Sequence, residues 1–408
     1  MSLRKISRKE FFALWAGAVG AAAFTEARAY ADAGSARLRC QPLISGALRW
    51  YNPAFSRKEG LAGWTRELDD EQAIGFDLLW LSNVSGALAD AEPDDPLRVV
   101  LDLCAERNVR VILDTGMTHR WYAQPDADKE KETVANQIRG IMRRYGGHPA
   151  FYAWYVPQEI YVAWDAFGAF IDEIYPAIVD MCKQAAPGKP VTVSPFFILD
   201  KTKVFGDFRF AEPAEYREYW TRLIRRSGFD VVMMQDSGEH FSYVANEQRR
   251  PFFEAMRAAC DDAGAAFWGN VESAEFECSS IEEYVNLYGR VHHSIVKDAP
   301  WRPVPIDRLE SKLRLAAEFA ERIVTWGYCE FGRPHLNPRA AAWYETYRQY
   351  VRRVKESDEA TPPRPATGDA RDGTGTYQAP PNLHVIRLSV RDGRRSSRPR
   401  GMQQAGLK

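Results

Sequence analysis

Two glutamates carry the strongest chemical signal in this sequence. Glu159 follows Phe151-Tyr152-Ala153-Trp154-Tyr155-Val156 by three residues, and Glu272 closes Phe267-Trp268-Gly269-Asn270-Val271. Short runs rich in aromatic and β-branched residues read as buried strands, so both carboxyls stand at strand ends. Two carboxyls so placed can divide the work of glycosidic cleavage, one protonating the leaving oxygen while the other attacks carbon or activates water. Further polar residues stand at the ends of similar runs: Ser82 and Asn83, Asp114, Gln158, Ser194, Gln235 and Asp236, Asn270 and Glu330. For each there is a plainer structural alternative. A strand-end carboxylate can cap the next helix or pair with an arginine, and Asp236-Ser237 suits a helix cap as well as a substrate contact. Asp114, Asp236, Glu239 and His240 come nearest to a divalent-metal set, but most of the 7 histidines lie elsewhere. Neither a metal nor a cofactor is expected.

The elements that must position these residues alternate regularly. Strand-like runs fall at 43–48, 77–82, 109–114, 151–156, 191–194, 231–236, 267–272 and 323–328, separated by amphipathic stretches such as 96–106, 133–145 and 167–183. In the stretch 96–106, Val99, Val100, Leu103 and Cys104 share one helical face. The phrase Gly-Phe-Asp recurs at 75–77 and 228–230, each time before four apolar residues, as expected where a helix ends and a buried strand begins. Eight such units over residues 37–355 predict a single-domain (β/α)8 TIM barrel. A doubly wound sheet would carry a glycine-rich phosphate loop after its first strand, and Ser45-Gly46-Ala47-Leu48 is not one. In a barrel the polar strand ends gather at one mouth, with strands four and seven facing each other across it.

With this arrangement the chain resembles the large clan of retaining barrel glycosidases, which carry an acid/base glutamate after strand four and a nucleophile glutamate after strand seven. It departs from the clan in having Gln158, where the clan has asparagine, before Glu159. A closer resemblance is to an uncharacterised bacterial family of glycosidase-like barrels, domain of unknown function 4434. The residues that carry it are 153–160 (Ala-Trp-Tyr-Val-Pro-Gln-Glu-Ile), Ser194-Pro195-Phe196-Phe197, Met234-Gln235-Asp236-Ser237 and Asn270-Val271-Glu272-Ser273. The resemblance implies a barrel acting on carbohydrate, with Glu159 as acid/base and Glu272 as nucleophile. The alternatives are a polysaccharide-binding barrel without turnover and a barrel enzyme of other chemistry.

Composition narrows the partners. A formal charge of -1 over 408 residues provides no global field for nucleic acid. The aromatic share of 12%, with 12 tryptophans, is the unusual figure. Sorted by position, Trp50, Trp80, Trp121 and Trp326, with Tyr155, fall where a sugar could stack at the mouth, whereas Trp64, Trp220 and Trp343 fall in helical stretches. At the N-terminus, Arg4, Lys5, Arg8 and Lys9 precede an uncharged run at 11–24 and small-x-small sites near 27–31, the layout of a cleaved export signal. Ser7-Arg8-Lys9-Glu10-Phe11-Phe12 resembles a twin-arginine signal, which implies a periplasmic or secreted protein with no stable membrane anchor after cleavage. Residues 356–408 are rich in Pro, Gly and Arg and read as a disordered tail, with one apolar run at 385–388. The six cysteines show no metal-ligand spacing, and Cys104, Cys182 and Cys260 read as buried thiols.

Overall fold

Eight short strands pair in parallel in strict chain order, and the helices between them cover the outside. The computed structural model describes residues 38–89, 95–204, 209–238, 243–291 and 300–359. Residues 1–37, which include the expected export signal, residues 360–408 with the run at 385–388, and Glu239 and His240 lie outside these residues. The barrel strands are β1 (Gly46–Trp50), β2 (Leu78–Ser82), β3 (Arg110–Asp114), β4 (Phe151–Val156), β5 (Val191–Val193), β6 (Val231–Gln235), β7 (Ala266–Asn270) and β10 (Arg322–Val324). A bridge between Ala47 and Thr325 closes the ring, with Leu48 N donating to Thr325 O at 2.9 Å and Thr325 N to Gly46 O at 3.0 Å. The chain is a (β/α)8 barrel.

Side chains alternate along each strand, and the two faces form separate cores. Leu48, Leu78, Trp80, Ile112, Ala153, Tyr155, Met233, Trp268 and Val324 fill the inside. The larger outer core packs the strands against the helices α1 (Pro53–Ala73), α2 (Pro96–Glu106), α3 (Ala127–Tyr145), α4 (Asp165–Ala185), α5 (Pro213–Ser227), α6 (Asn246–Ala263), α8 (Ile306–Phe319) and α9 (Pro338–Glu359). At the strand N-termini, Arg110 and Arg322 both meet Asp77, and their guanidiniums lie 4.8 and 5.3 Å from the rings of Tyr152 and Trp268. These contacts plug the bottom and leave the C-terminal mouth for polar groups.

Local sequence explains the helix ends. Asp95 caps α2 by accepting from Leu97 N and Arg98 N at 3.1 Å, and Pro96 supplies a preset first turn. The inward face of α2 is Val100, Leu101, Leu103 and Cys104, whereas Val99 is exposed, so the expected stripe is rotated by one residue. Gly75 and Gly228 take left-handed φ values of 90° and 75° at the two predicted helix-to-strand junctions. Cys104, Cys182 and Cys260 are buried, as expected.

Three departures from the sequence expectation share a cause, namely elements too short or irregular to show a period. β1 begins at Gly46 rather than 43 and runs on to Trp50. β10 ends at Val324, after which the chain turns at Gly327 (φ 99°) into a π-helical turn, Tyr328–Gly332. Between β7 and α8 an insertion forms an antiparallel hairpin, β8 (Ala274–Phe276) with β9 (Trp301–Pro303), and the helix α7 (Ile281–Tyr288). At the other end, α9 continues to Glu359, beyond the expected boundary at 355.

Arg49 on the outer face of β1 ties three elements together. It reaches Glu67 and Glu71 of α1 at 2.8 and 3.2 Å, over the ring of Trp64. Glu67 also takes Arg333 at 2.9 Å, and Arg333 donates back to Cys329 O in the π-helical turn at 2.6 Å. Burial pushes the Glu71 carboxyl up from 4.5 to about 7, outweighing the pull of Arg49. The folded protein therefore holds this proton more tightly than the unfolded chain does. The stability Glu71 contributes is full below its unfolded value and is lost as pH rises through about 7. Denaturant titrations from pH 5 to 8 should show the wild type losing more stability than Glu71→Gln, which has no proton to release there.

Candidate active site

At the mouth a line of side-chain hydrogen bonds crosses four strands. The Tyr155 hydroxyl, from β4, donates to Glu159 Oε1, and Gln235 Nε2, at the end of β6, donates to Glu159 Oε2 at 2.8 Å. The same amide nitrogen donates to Ser194 O at 3.0 Å, and Asn270 Nδ2, at the end of β7, reaches Ser194 Oγ at 3.1 Å. Ser194 and Asn270 are buried and form the frame of the site. Burial and then the charge of Glu159 push the Tyr155 hydroxyl well above its ordinary value, so it remains a donor at every working pH.

Gln158 does not stand beside Glu159 in this mouth. Its side chain is wholly buried and donates to Glu130 Oε1 of α3 at 2.6 Å and to Gly116 O at 3.1 Å. Its backbone carbonyl oxygen accepts from the Tyr175 hydroxyl of α4. Expected to contact substrate, Gln158 instead anchors the strand-four loop to two helices. Glu130, which also takes the Thr118 amide at 3.2 Å, gave no sequence signal, because a glutamate in a first helical turn is ordinarily solvated.

Glu272 is buried two residues past β7, and its backbone is fixed from both sides. Its N–H donates to Asp236 Oδ1 at 3.3 Å, and its carbonyl accepts from Lys312 Nζ of α8 at 2.6 Å. Lys312, itself buried, lies 3.0 Å from Asp236 Oδ2. Asp236 O also takes Arg249 Nε of α6 at 3.1 Å. Burial lowers the Arg249 guanidinium from its ordinary value, while Asp236 and Glu272 pull the other way. Asp236, expected to meet substrate, is thus wholly engaged in holding the Glu272 segment.

Asp114 is engaged in the same way. It accepts from the amides of Asn83 and Val84 at 2.8 and 3.2 Å and from Gln137 Nε2 at 3.0 Å, capping the short 3-10 helix Val84–Ala89. Burial lifts its carboxyl to about 6 against these donors. Ser82 is buried beneath it, whereas Asn83 is exposed in the left-handed region at φ 63°.

Glu330 sits half-buried in the π-helical turn with Oε2 buried and unpartnered, and burial raises its carboxyl. The cations acting on it are Arg49 and Arg333, which places it toward the outer cluster. Among the described residues, no three His, Cys, Asp or Glu side chains assemble as a metal site.

The aromatic residues separate into floor and rim. Trp80 is wholly buried, edge-on to Tyr155 at 4.7 Å, so it supports the site from inside the barrel and offers no face to a ligand. Trp50, at the end of β1, is half-exposed. Trp121 packs with exposed Tyr122 and with Phe167 at 5.7 and 6.0 Å. Trp326 meets Trp301 at 5.6 Å and Phe331 at 6.4 Å. Trp301 carried no signal in the sequence, because the insertion that holds it has no period.

Residues 56–340, more than half of the chain, match the domain of unknown function DUF4434. The chain belongs to this family. No curated protein matches the sequence of this DUF4434 chain. Its fold is similar to that of a protein from Bacteroides thetaiotaomicron proposed to be an alpha-L-fucosidase, with a TM-score of 0.60 and 19% identity over 78% of this chain and 94% of the other. It is also similar to an endo-1,4-beta-D-mannanase from Thermotoga petrophila, at TM-score 0.48 and 13% identity over 76% and 99% of the two chains. A GH10 xylanase from termite gut gives 0.47 and 10% over 78% and 76%. At these identities the likeness is one of fold.

Lys312 is the buried cation on which the Glu272 segment rests. Lys312→Met leaves Asp236 as an uncompensated buried charge and should cost about 3–5 kcal/mol in urea unfolding. Pairing it with Asp236→Asn should recover most of that loss, a coupling that a double-mutant cycle measures directly.

Proposed function

We propose that the chain is an exported glycoside hydrolase that cleaves O-glycosidic bonds with retention of configuration. The observation that carries this reading is the placement of two glutamates at one end of the barrel, Glu159 after β4, held by Gln235, and Glu272 after β7, its backbone held by Asp236 and Lys312. Glu272 attacks the anomeric carbon while Glu159 gives its proton to the departing glycosidic oxygen. A covalent glycosyl-enzyme results. Glu159, now a carboxylate, takes a proton from water, whose oxygen attacks the same carbon and releases Glu272.

The rigid backbone around Glu272 supports a nucleophile that must not move as it attacks. The aromatic residues at Trp50, Trp121 with Tyr122, and Trp326 with Trp301 supply flat apolar faces suited to the C–H face of a pyranose. In this reading residues 1–31 direct the chain out of the cytoplasm and are removed.

The test is turnover of a panel that includes fucosides, xylan and mannan, with the first-formed anomer read by NMR. Glu272→Gln should abolish turnover, and Glu159→Gln should cut it about 10²–10⁴-fold on substrates with poor leaving groups. A first product of inverted configuration overturns the retaining assignment. Unchanged turnover in either variant overturns the pair, and glycan binding that persists in both variants of an inactive wild type identifies a binding barrel.

A further inference from the structure

The mouth holds Glu159 by both carboxylate oxygens, with Tyr155 donating to one and Gln235 to the other. Gln235 Nε2 contacts the carbonyl oxygen of Ser194 as well as Glu159 Oε2, so this end of the amide must be the NH₂. Tyr155 is buried, its ring is fixed edge-on against Trp80, and its hydroxyl keeps its proton. A carboxylate accepts from two such donors without conflict. Protonation weakens the carboxyl as an acceptor for both, so the two donors favour the ionised form. We propose that Tyr155, rather than touching substrate, is the positioning residue that sets the charge state of Glu159, holding Oε1 while Gln235 holds Oε2.

This inference rests on the reading of Glu159 as acid and base. In the first step Glu159 carries its proton against the preference of these two donors for the carboxylate. Delivery of the proton to the glycosidic oxygen restores the doubly held carboxylate. The two donors thus stabilise the product of proton transfer and aim the base at water for the second step.

Other buried ionisable groups stand near this pair. Tyr175 of α4 donates to Gln158 O, Asp114 of β3 caps the 3-10 helix, Glu130 of α3 takes Gln158, and Glu272 lies beyond β7. From β5 and β6 the facing groups, Ser194 and Gln235, are neutral. Removing the Tyr155 hydroxyl takes one donor from this carboxyl and leaves the ring against Trp80.

The experiment titrates Glu159 directly in the full-length protein carrying carboxyl-13C glutamate, with its signal assigned by loss in Glu159→Gln. Tyr155→Phe keeps the ring against Trp80 and removes one donor, so the Glu159 titration should rise by about one pH unit. With 3-fluorotyrosine at 155, a stronger donor of nearly the same shape, it should move the other way. On a cleaved substrate the alkaline limb of kcat/KM should follow in the same directions, with KM changed less than twofold. A Glu159 titration that does not move in either variant overturns the proposal, as does a rise in KM without a shift of the limb. The titration needs no substrate, so loss of the acid/base reading, shown by unchanged turnover in Glu159→Gln, is distinguishable from loss of this one.

Discussion

A parallel sheet closed on itself gives every strand one side chain that must fill the interior and a next one that must be covered by a helix. Both faces are then buried along most of their length, and polar groups are tolerated only at the two ends. At the lower end Arg110 and Arg322 settle on Asp77 and close the barrel. In the middle Leu48, Trp80, Ile112, Met233 and Val324 pack the interior. Tyr155, Ser194, Gln235 and Asn270 are therefore concentrated at the upper end, where Ser194 can be shared by two amides from neighbouring strands. The line of hydrogen bonds under Glu159 follows from this confinement.

Burying charge to hold the mouth is costly unless every partner is present. The structure meets that condition with a few cations placed behind the strands. Lys312 serves Asp236 and the Glu272 carbonyl at once, and Arg249 closes the other side of the Asp236 segment. On β1 the same device is repeated by Arg49, which gathers Glu67 and Glu71 and, through Arg333, the π-helical turn that carries Glu330. In both places the charges orient backbone rather than meet solvent. Several carboxylates at strand ends are for this reason unavailable to a ligand.

The sequence made the barrel legible because its strands are apolar runs bounded by glycine and its helices carry one apolar face. Gly75 and Gly228 marked two junctions correctly, since a left-handed residue is needed where each helix stops. The insertion between β7 and α8 was not legible: a three-residue strand such as Ala274–Phe276 has no alternation to read. At the site, residue type and position along a strand placed Glu159 and Glu272 at the mouth, but they did not distinguish a side chain that faces the mouth from one that faces a helix. Asp114, Gln158 and Asp236 all stand within two residues of a strand end, and all three turn toward backbone amides, a buried glutamate or a buried lysine. Separating the two outcomes requires knowing where Glu130, Gln137 and Lys312 lie, and these stand 23 to 76 residues away in the chain from the side chains they hold.

Gln158 shows why the departure from asparagine before Glu159 has structural consequences. The longer side chain spans the distance to Glu130 on α3, and the neighbouring carbonyl takes Tyr175 on α4, so the peptide that carries Glu159 is held from the helical layer. A short amide directed into the mouth would leave that peptide dependent on its ligand. With the backbone fixed from behind, orientation of the carboxyl falls to the groups in front of it, Tyr155 four residues earlier and Gln235 two strands away. A substitution at 158 and a hydroxyl at 155 are thus two parts of one solution. The amide supports the loop, and the phenol and the Gln235 amide orient the Glu159 carboxyl.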